Sequence, residues 1–143
     1  MKESRRETRA ISLRKDVSAG PTGAHFEALF FLVATERYAI RMSDVEAVRP
    51  FTDYASVPGA PAYIRGVAHL EGEILSLLDL ALLFGTSAQG ITDLRRAIVI
   101  GKSPQRLAVL ATEVEEIARV LCETIRPSPS AVVTGRAWSE GVI

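Results

Sequence analysis

The stretch from Ala62 to Gly85 has the clearest pattern of apolar and polar positions in the chain. Extended pieces on either side of Gly66 are followed by a turn and then by the almost wholly apolar run Ile74–Leu78. Such a run suits a strand buried on both faces or a core helix. Asp79 is placed to cap a short helix that Gly85 ends. Strand, turn, buried strand and one-turn helix are typical of a small closed β-barrel with a helical plug.

Alternating apolar residues elsewhere predict two further hairpins, formed by Leu29–Val33 with Arg37–Met42 and by Ala97–Ile100 with Leu107–Ala111. Each hairpin is followed by a capping-box pattern, Ser43–Glu46 in the first case and Thr112–Glu115 in the second. A Ser or Thr followed three residues later by Glu favours the start of a helix. The sequence therefore predicts a short helix after each hairpin.

The chain also repeats itself, because many residues recur 69 positions later. Identical pairs include Ala39 and Ala108, Val45 and Val114, Glu46 and Glu115, Gly66 and Gly135, and Gly72 and Gly141. A repeat of this length indicates a duplicated structural unit. We predict a mainly β fold of two similar lobes related by a pseudo-twofold axis, with a few short helices. The lobes are interleaved, the first repeat covering about residues 28–85 and the second about 95–143.

The second repeat ends at Ile143 and has no counterpart of Leu75–Phe84 from the first repeat. This predicts a second lobe that is incomplete at the C-terminus and has an unpaired strand edge. Unpaired edges bind other strands. We therefore expect either a truncated C-terminus or a homo-oligomer that completes the second lobe.

Composition limits the classes of function. The 143 residues have no net charge, which gives no general attraction to nucleic acid. No apolar run is long enough to cross a bilayer, so we predict no membrane insertion. The single cysteine, Cys122, fits a reducing compartment, and we predict a cytoplasmic protein. Residues 1–25 carry six basic and three acidic side chains and end in a Gly- and Pro-containing segment, which predicts a mobile basic arm before a domain at 26–143.

The chain shows no set of residues suited to catalysis or to holding a metal. Its two histidines, His25 and His69, have no metal-ligand spacing relative to Cys122 or to a pair of acidic residues. Gly101-Lys102-Ser103 lacks the first glycine of a phosphate-binding loop. We therefore predict no enzyme, no cofactor and no metal.

Four segments in order resemble the CheW-like domain family: YAIRMSDVEAVRP, VPGAPAYIRGVAHLEGEILSLLDLALLFG, AIVIGKSPQRLAVLATEVEEIARV and ETIRPSP. The resemblance covers roughly residues 28–143. It implies two five-stranded SH3-like barrels and a non-enzymatic adaptor that couples chemoreceptors to a histidine kinase of the CheA type. It also implies that the kinase binds the lobe surfaces, that the receptor tip lies in the groove between the lobes, and that other CheW-like proteins are partners.

The resemblance also implies site residues. Those of the partner groove fall on Val45, Ala47, Arg65, Gly66, Glu71 and Ile74, and those of a second-lobe partner surface fall on Val114 and Ile117. Family members usually have an arginine where this chain has Glu71, and often a glutamate where it has Ala47. Reversing a charge at a receptor contact is expected to weaken or redirect binding. The sequence thus indicates a divergent adaptor, in a chemosensory pathway other than swimming chemotaxis.

Two other functions stay open on the sequence alone. The chain can be a regulatory domain detached from a larger signalling protein, acting as a protein-interaction module without receptor coupling. It can also be a small β-barrel that binds nucleic acid, although the zero net charge and the few aromatic residues argue against this.

Overall fold

The computed structural model describes residues 8–11, 23–70, 72–86, 93–101, 106–124, 132–133, 136–137 and 139–142. Strands make up most of these residues, which confirms the predicted mainly β fold. The strands are β1 Thr8–Ile11, β2 His25–Val33, β3 Glu36–Arg41, β4 Val45–Pro50, β5 Ile64–Leu70, β6 Glu73–Leu78, β7 Arg96–Ile100, β8 Leu107–Ala111, β9 Glu113–Leu121, β10 Val132–Val133, β11 Arg136–Ala137 and β12 Ser139–Val142, and the helix α1 is Leu80–Leu83.

The first sheet has the strand order β4-β7-β8-β6-β5. Strands β6 and β8 are parallel, and the other neighbours are antiparallel. Helix α1 follows β6 as the sequence predicts: the Asp79 carboxylate accepts hydrogen bonds from the backbone N–H groups of Ala81 (2.9 Å) and Leu82 (3.3 Å). Gly85 then has a φ of 69°, the left-handed conformation that ends a helix.

The second sheet has the order β9-β2-β3-β1-β12, in which only β1 and β3 are parallel. Strand β1 lies inside the predicted mobile arm of residues 1–25, so that prediction is wrong for Thr8–Ile11. Its backbone pairs with β3 on one side and with β12 on the other, which offsets the entropy of ordering it. The rest of the predicted arm before Gly23 lies outside the described residues. Strands β10 and β11 pair separately as a small ribbon.

The two sheets have the same topology, because the strands follow the same order and the one parallel pair is at the same position in each sheet. In this match β4, β7, β8, β6 and β5 of the first sheet correspond to β9, β2, β3, β1 and β12 of the second. Two five-stranded sheets of matching topology fit the predicted pair of SH3-like lobes. Each sheet also takes strands from both repeats, as interleaved lobes require.

The predicted gap in the second lobe is filled by β1. This strand occupies in the second sheet the place that β6, with Leu77 and Leu78, occupies in the first. The strand edge that was expected to be open is therefore paired, so the prediction of an unpaired edge in the second lobe is wrong. It failed because the missing strand is supplied from the N-terminal side of the repeat. The argument for a homo-oligomer that completes this lobe fails with it. A counterpart of α1 would fall on residues outside the described ranges.

The pairing of strands in the two sheets shows that the 69-residue offset is wrong for the second half of the repeat. In the first sheet Ile64 lies opposite Leu78 and Gly66 opposite Leu77, with a bulge between them. In the second sheet Ser139 lies opposite Ile11 and Gly141 opposite Ala10, again with a bulge. Gly141 therefore stands in the place of Gly66, 75 positions later, whereas the sequence offset of 69 paired Gly66 with Gly135. The 69-residue offset applies up to the end of β4 and β9. It fails after that point, because the chain between β9 and β12 is longer than the chain between β4 and β5.

Neither predicted capping box starts the helix that the sequence predicts after it. A 3-10 turn covers Met42–Asp44, but β4 starts at Val45 and β9 starts at Glu113. The Thr112 hydroxyl accepts a hydrogen bond from the backbone N–H of Ala34 (2.9 Å) on the neighbouring hairpin, so it does not cap a helix. Pairing of these segments with β7 and β2 outweighs their local preference for a helix.

The main core cluster includes side chains from both sheets. Tyr38 of β3 stacks on Phe31 of β2, with a distance of 5.7 Å between the ring centroids, and on Phe84 after α1, at 5.9 Å. The plug helix is thus packed against a residue of the second sheet. Alternate residues of β2 and β3 point to the opposite face of that sheet, where Phe30 and Ala39 form part of a smaller cluster.

Candidate protein-docking site

A cleft lies beside β5, the edge strand of the first sheet. Its two walls are β5 with the start of β6, and the chain segment that follows β4. That segment is joined to β5 through Ala55 and Val67, whose backbones exchange two hydrogen bonds of 2.9 and 2.8 Å. The cleft has a volume of about 560 Å³ and is lined by Pro50, Phe51, Thr52, Asp53, Tyr54, Ala55, Val67, Ala68, His69, Leu70 and Ile74. The lining is mainly apolar, which suits the side chains of another protein.

Gly66 allows the cleft wall to approach β5 so closely. Its φ is +155°, and a Cβ atom placed on it would lie 2.2 Å from the carbonyl oxygen of Ala55 and 2.9 Å from the Tyr54 ring. Only glycine avoids this overlap. Gly66 therefore shapes the site through its lack of a side chain.

Ile74 is the most exposed of the large apolar residues along the described part of the chain. Its side chain is 70% exposed, beside a cleft whose lining also includes the exposed Tyr54. On β6 the neighbouring Leu75 and Leu77 are buried on the opposite face of the strand, so Ile74 points outward. Such an exposed apolar side chain next to a cleft marks a docking surface.

The other predicted groove residues have different environments. Val45 and Ala47 are half-buried on β4. Arg65 forms an ion pair with the fully buried Asp79, with 3.2 Å between Nε and Oδ2. Since the same carboxylate caps α1, Arg65 joins the β5 bulge to the helix and supports the site from behind. Glu71 lies outside the part of the chain that the structure describes.

The second-lobe residues Val114 and Ile117 lie on strand β9, so the helix on which they were predicted is absent. Val114 is half-buried and packs on the main core, whereas Ile117 is 54% exposed. Val48, which precedes Ile117 by 69 positions, is exposed at the equivalent place on β4. Each sheet thus presents an aliphatic residue from its edge strand.

Two sites at which one arginine contacts two glutamates were not predicted from the sequence. Arg106 contacts the carboxylates of Glu46 and Glu73, and Arg37 contacts those of Glu115 and Glu116. The signal was present, because Arg37 and Arg106 are 69 positions apart, as are Glu46 and Glu115. The capping-box pattern predicts Glu46 and Glu115 as helix caps instead. Each arginine in fact pairs with the glutamate of the other repeat.

The described ranges hold no group of histidine, cysteine, aspartate or glutamate side chains that could bind a metal ion. They also contain no helix with the length and apolar character needed to span a bilayer. What the geometry offers is an apolar cleft, exposed aliphatic side chains and ion pairs that fix strand positions. These are features of a surface that binds another protein.

Comparison with known protein families shows to which family the chain belongs. Residues 27–143 match the family described as "CheW-like domain". The chain belongs to the CheW-like domain family. The match covers most of the chain, and it confirms the resemblance deduced from the sequence.

Three relatives are each called Chemotaxis protein CheW. The protein of Rhizobium meliloti is 29% identical over 119 residues, covering 82% of this chain and 76% of the relative. That of Helicobacter pylori is 28% identical over 134 residues, covering 90% and 81%. That of Klebsiella aerogenes is 26% identical over 108 residues, covering 76% and 65%, so the chain spans slightly less than two thirds of this relative's length.

A solved structure has the same fold as this CheW-like chain. It is the crystal structure of the scaffolding protein TtCheW from Thermoanaerobacter tengcongensis, which is 27% identical, with a TM-score of 0.64. The similarity covers 78% of this chain and 75% of that protein. The predicted fold is thereby confirmed by a protein of known structure.

Proposed function

We propose that this CheW-like protein is a non-enzymatic scaffold of a chemosensory system, which couples receptors to a histidine kinase of the CheA type. The observation that carries the proposal is Ile74, an aliphatic side chain that is 70% exposed beside an apolar cleft of about 560 Å³. An exposed apolar surface of this kind lowers the solubility of a protein, and binding to a partner removes the surface from water. The similarity to chemotaxis proteins and to the scaffolding protein TtCheW supports the same function.

The receptor site consists of Ile74, Val45, Ala47, Gly66 and Glu71 in this proposal. Ile74 supplies the apolar contact, and Gly66 lets the cleft wall approach β5. Glu71, two residues before Glu73 in the sequence, supplies a negative charge that selects receptors with a basic or neutral side chain opposite it. Arg65, already paired with Asp79, belongs to the support of the site.

The second-lobe surface is assigned to the kinase. Ile117 is exposed on β9, and Val114 holds that strand on the core. The scaffold works in the cytoplasm in this proposal. The buried free thiol of Cys122 fits such a reducing compartment.

The test measures binding of the purified protein to a CheA-type kinase and to a receptor cytoplasmic fragment from the same organism. Ile74→Lys is expected to weaken receptor binding at least about tenfold, which corresponds to about 1.4 kcal/mol. Ile117→Lys is expected to weaken kinase binding instead. Val57→Lys is the matched control, because Val57 is 43% exposed and belongs neither to the lining of the cleft nor to β9. If the wild-type protein binds neither partner, the scaffold function is wrong.

Glu71 has its own test. Glu71→Arg restores the charge that family members usually have at this position, so it is expected to improve binding of receptors that pair with the usual arginine. A pull-down from the native cytoplasm compares the receptors recovered by the wild type and by the variant. An unchanged set of receptors would remove Glu71 from the proposed site.

A further inference from the structure

Arg106 connects two strands that are not neighbours. It directly precedes β8, and its Nε lies 2.7 Å from Oε2 of Glu46 on β4. Its Nη1 donates a hydrogen bond to the Glu73 carboxylate on β6. The Arg106 side chain is only 14% exposed, whereas the two carboxylates are about half exposed. One largely buried guanidinium thus lies between two glutamates at the same end of the first sheet and offsets part of their negative charge.

The two glutamates lie next to the residues proposed to contact the receptor. Glu46 lies between Val45 and Ala47, and Glu73 directly precedes Ile74. In the first sheet, β7 and β8 separate β4 from β6. The hydrogen-bonded ladder therefore joins these two parts of the site only through two intervening strands, while Arg106 joins them directly through its side chain.

We infer that Arg106 is a positioning residue of the receptor site, which fixes the distance between the start of β4 and the start of β6. This inference rests on the proposed function. The guanidinium donates a hydrogen bond to Glu73 and forms an ion pair with Glu46 at the same time, so the site is ordered before the receptor arrives. Without it, two like charges face each other across the end of the sheet and push the strands apart.

The pseudo-symmetric residue Arg37 provides a matched control. Arg37 contacts Glu115 (2.8 Å) and Glu116 (3.4 Å), which are neighbours on the single strand β9. Its side chain is 34% exposed. Arg37 therefore makes ion pairs of the same chemistry in the other sheet, but it connects to no residue of the proposed receptor site.

The experiment compares Arg106→Gln, Arg106→Lys, the double variant Arg106→Gln with Glu73→Gln, and Arg37→Gln. For each, receptor-fragment affinity is measured well below the unfolding temperature, together with the methyl NMR signals of Val45 and Ile74. Arg106→Gln is expected to weaken binding about tenfold, or about 1.4 kcal/mol, and to shift both methyl signals. Arg106→Lys is expected to recover only part of the affinity, since an ammonium group lacks the planar fork. The double variant is expected to bind more tightly than Arg106→Gln, because one of the repelling charges is removed.

The outcomes separate this inference from the proposed function. If the wild type binds the receptor and folded Arg106→Gln binds equally well, the positioning role is wrong and the scaffold function stands. If the wild type binds no receptor, the scaffold function fails, and the methyl signals decide about Arg106. Unshifted signals in Arg106→Gln, or equal shifts in Arg37→Gln, overturn the positioning role.

Discussion

Gly66→Ala is the substitution for which the structure defines the cost most clearly. The new methyl group would lie 2.2 Å from the carbonyl oxygen of Ala55 and 2.9 Å from the ring of Tyr54. Real Cβ atoms essentially never come within 3.0 Å of such neighbours, so the segment Tyr54–Ala55 must move. The blocking atom at 2.2 Å belongs to the backbone, and a change of side-chain rotamer therefore cannot relieve the overlap.

The loss of stability expected for Gly66→Ala has two contributions. A φ of +155° is strained for any residue with a side chain and costs about 1–3 kcal/mol. Moving Ala55 also breaks its two hydrogen bonds with Val67, each of which contributes about 0.5–1.5 kcal/mol. We expect the free energy of unfolding to fall by about 2–6 kcal/mol in total. At about 3 °C per kcal/mol for a chain of this size, the melting temperature falls by about 6–18 °C.

Thermal unfolding followed by circular dichroism measures this change, and Gly59→Ala controls for backbone strain. Gly59 has a φ of +82°, but a Cβ atom on it would meet nothing within 4 Å. Its substitution should cost only the left-handed conformation, about 1–2 kcal/mol. If Gly66→Ala lowers the melting temperature no more than Gly59→Ala does, the close contact with Ala55 does not constrain the fold, and our account of the cleft wall is wrong.

Three further predictions concern other parts of the molecule. Asp79→Ala removes the cap of α1 and leaves Arg65 without its buried carboxylate, so urea unfolding should show a loss of about 3–5 kcal/mol; an unchanged midpoint would contradict this role. Ile74→Lys should leave the free energy of unfolding within about 0.5 kcal/mol of wild type, because the side chain is 70% exposed, and a larger loss would mean that Ile74 belongs to the core. Ala10→Pro places a residue without an N–H group in β1, between β3 and β12, and should destabilise the second sheet by about 1–3 kcal/mol, seen as faster amide exchange in β3. Unaltered exchange there would show that β1 is dispensable.

Local signals were sufficient where short-range chemistry alone determines the structure. The hairpin of β5 and β6, the Asp79 cap and the stop at Gly85 all follow from residues close together in the sequence. The family resemblance placed Ile74 and Gly66 in the site, but it could not show why each is there. The exposure of Ile74 and the contact of Gly66 with Ala55 depend on how distant segments pack.

The N-terminal strand could not be predicted for a similar reason. Thr8–Ile11 has few large apolar residues and lies among charged ones, which is typical of a disordered segment. Its order comes from backbone pairing on both sides, with β3 and with β12. Only the three-dimensional match between the two sheets shows that the second lobe needs a strand at this place.

The capping boxes show how one local pattern can serve two structures. Glu46 is the extra residue of a bulge in β4, because Val45 pairs with Ile100 and Ala47 with Val99. The equivalent bulge in β9 leaves Glu115 unpaired with β2 in the same way.

A bulge turns its extra side chain away from the regular alternation, and here it directs each glutamate toward an arginine of the other repeat. A glutamate three residues after a Ser or Thr fits a helix cap equally well in isolation. The choice between the two is made by strand pairing with β7 and β2, to which arginines about 60 to 80 residues away add ion pairs. Local sequence patterns carry no information over such distances. Through this reciprocal pairing each repeat supplies the arginine that contacts the bulge of the other repeat, as expected for two interleaved lobes.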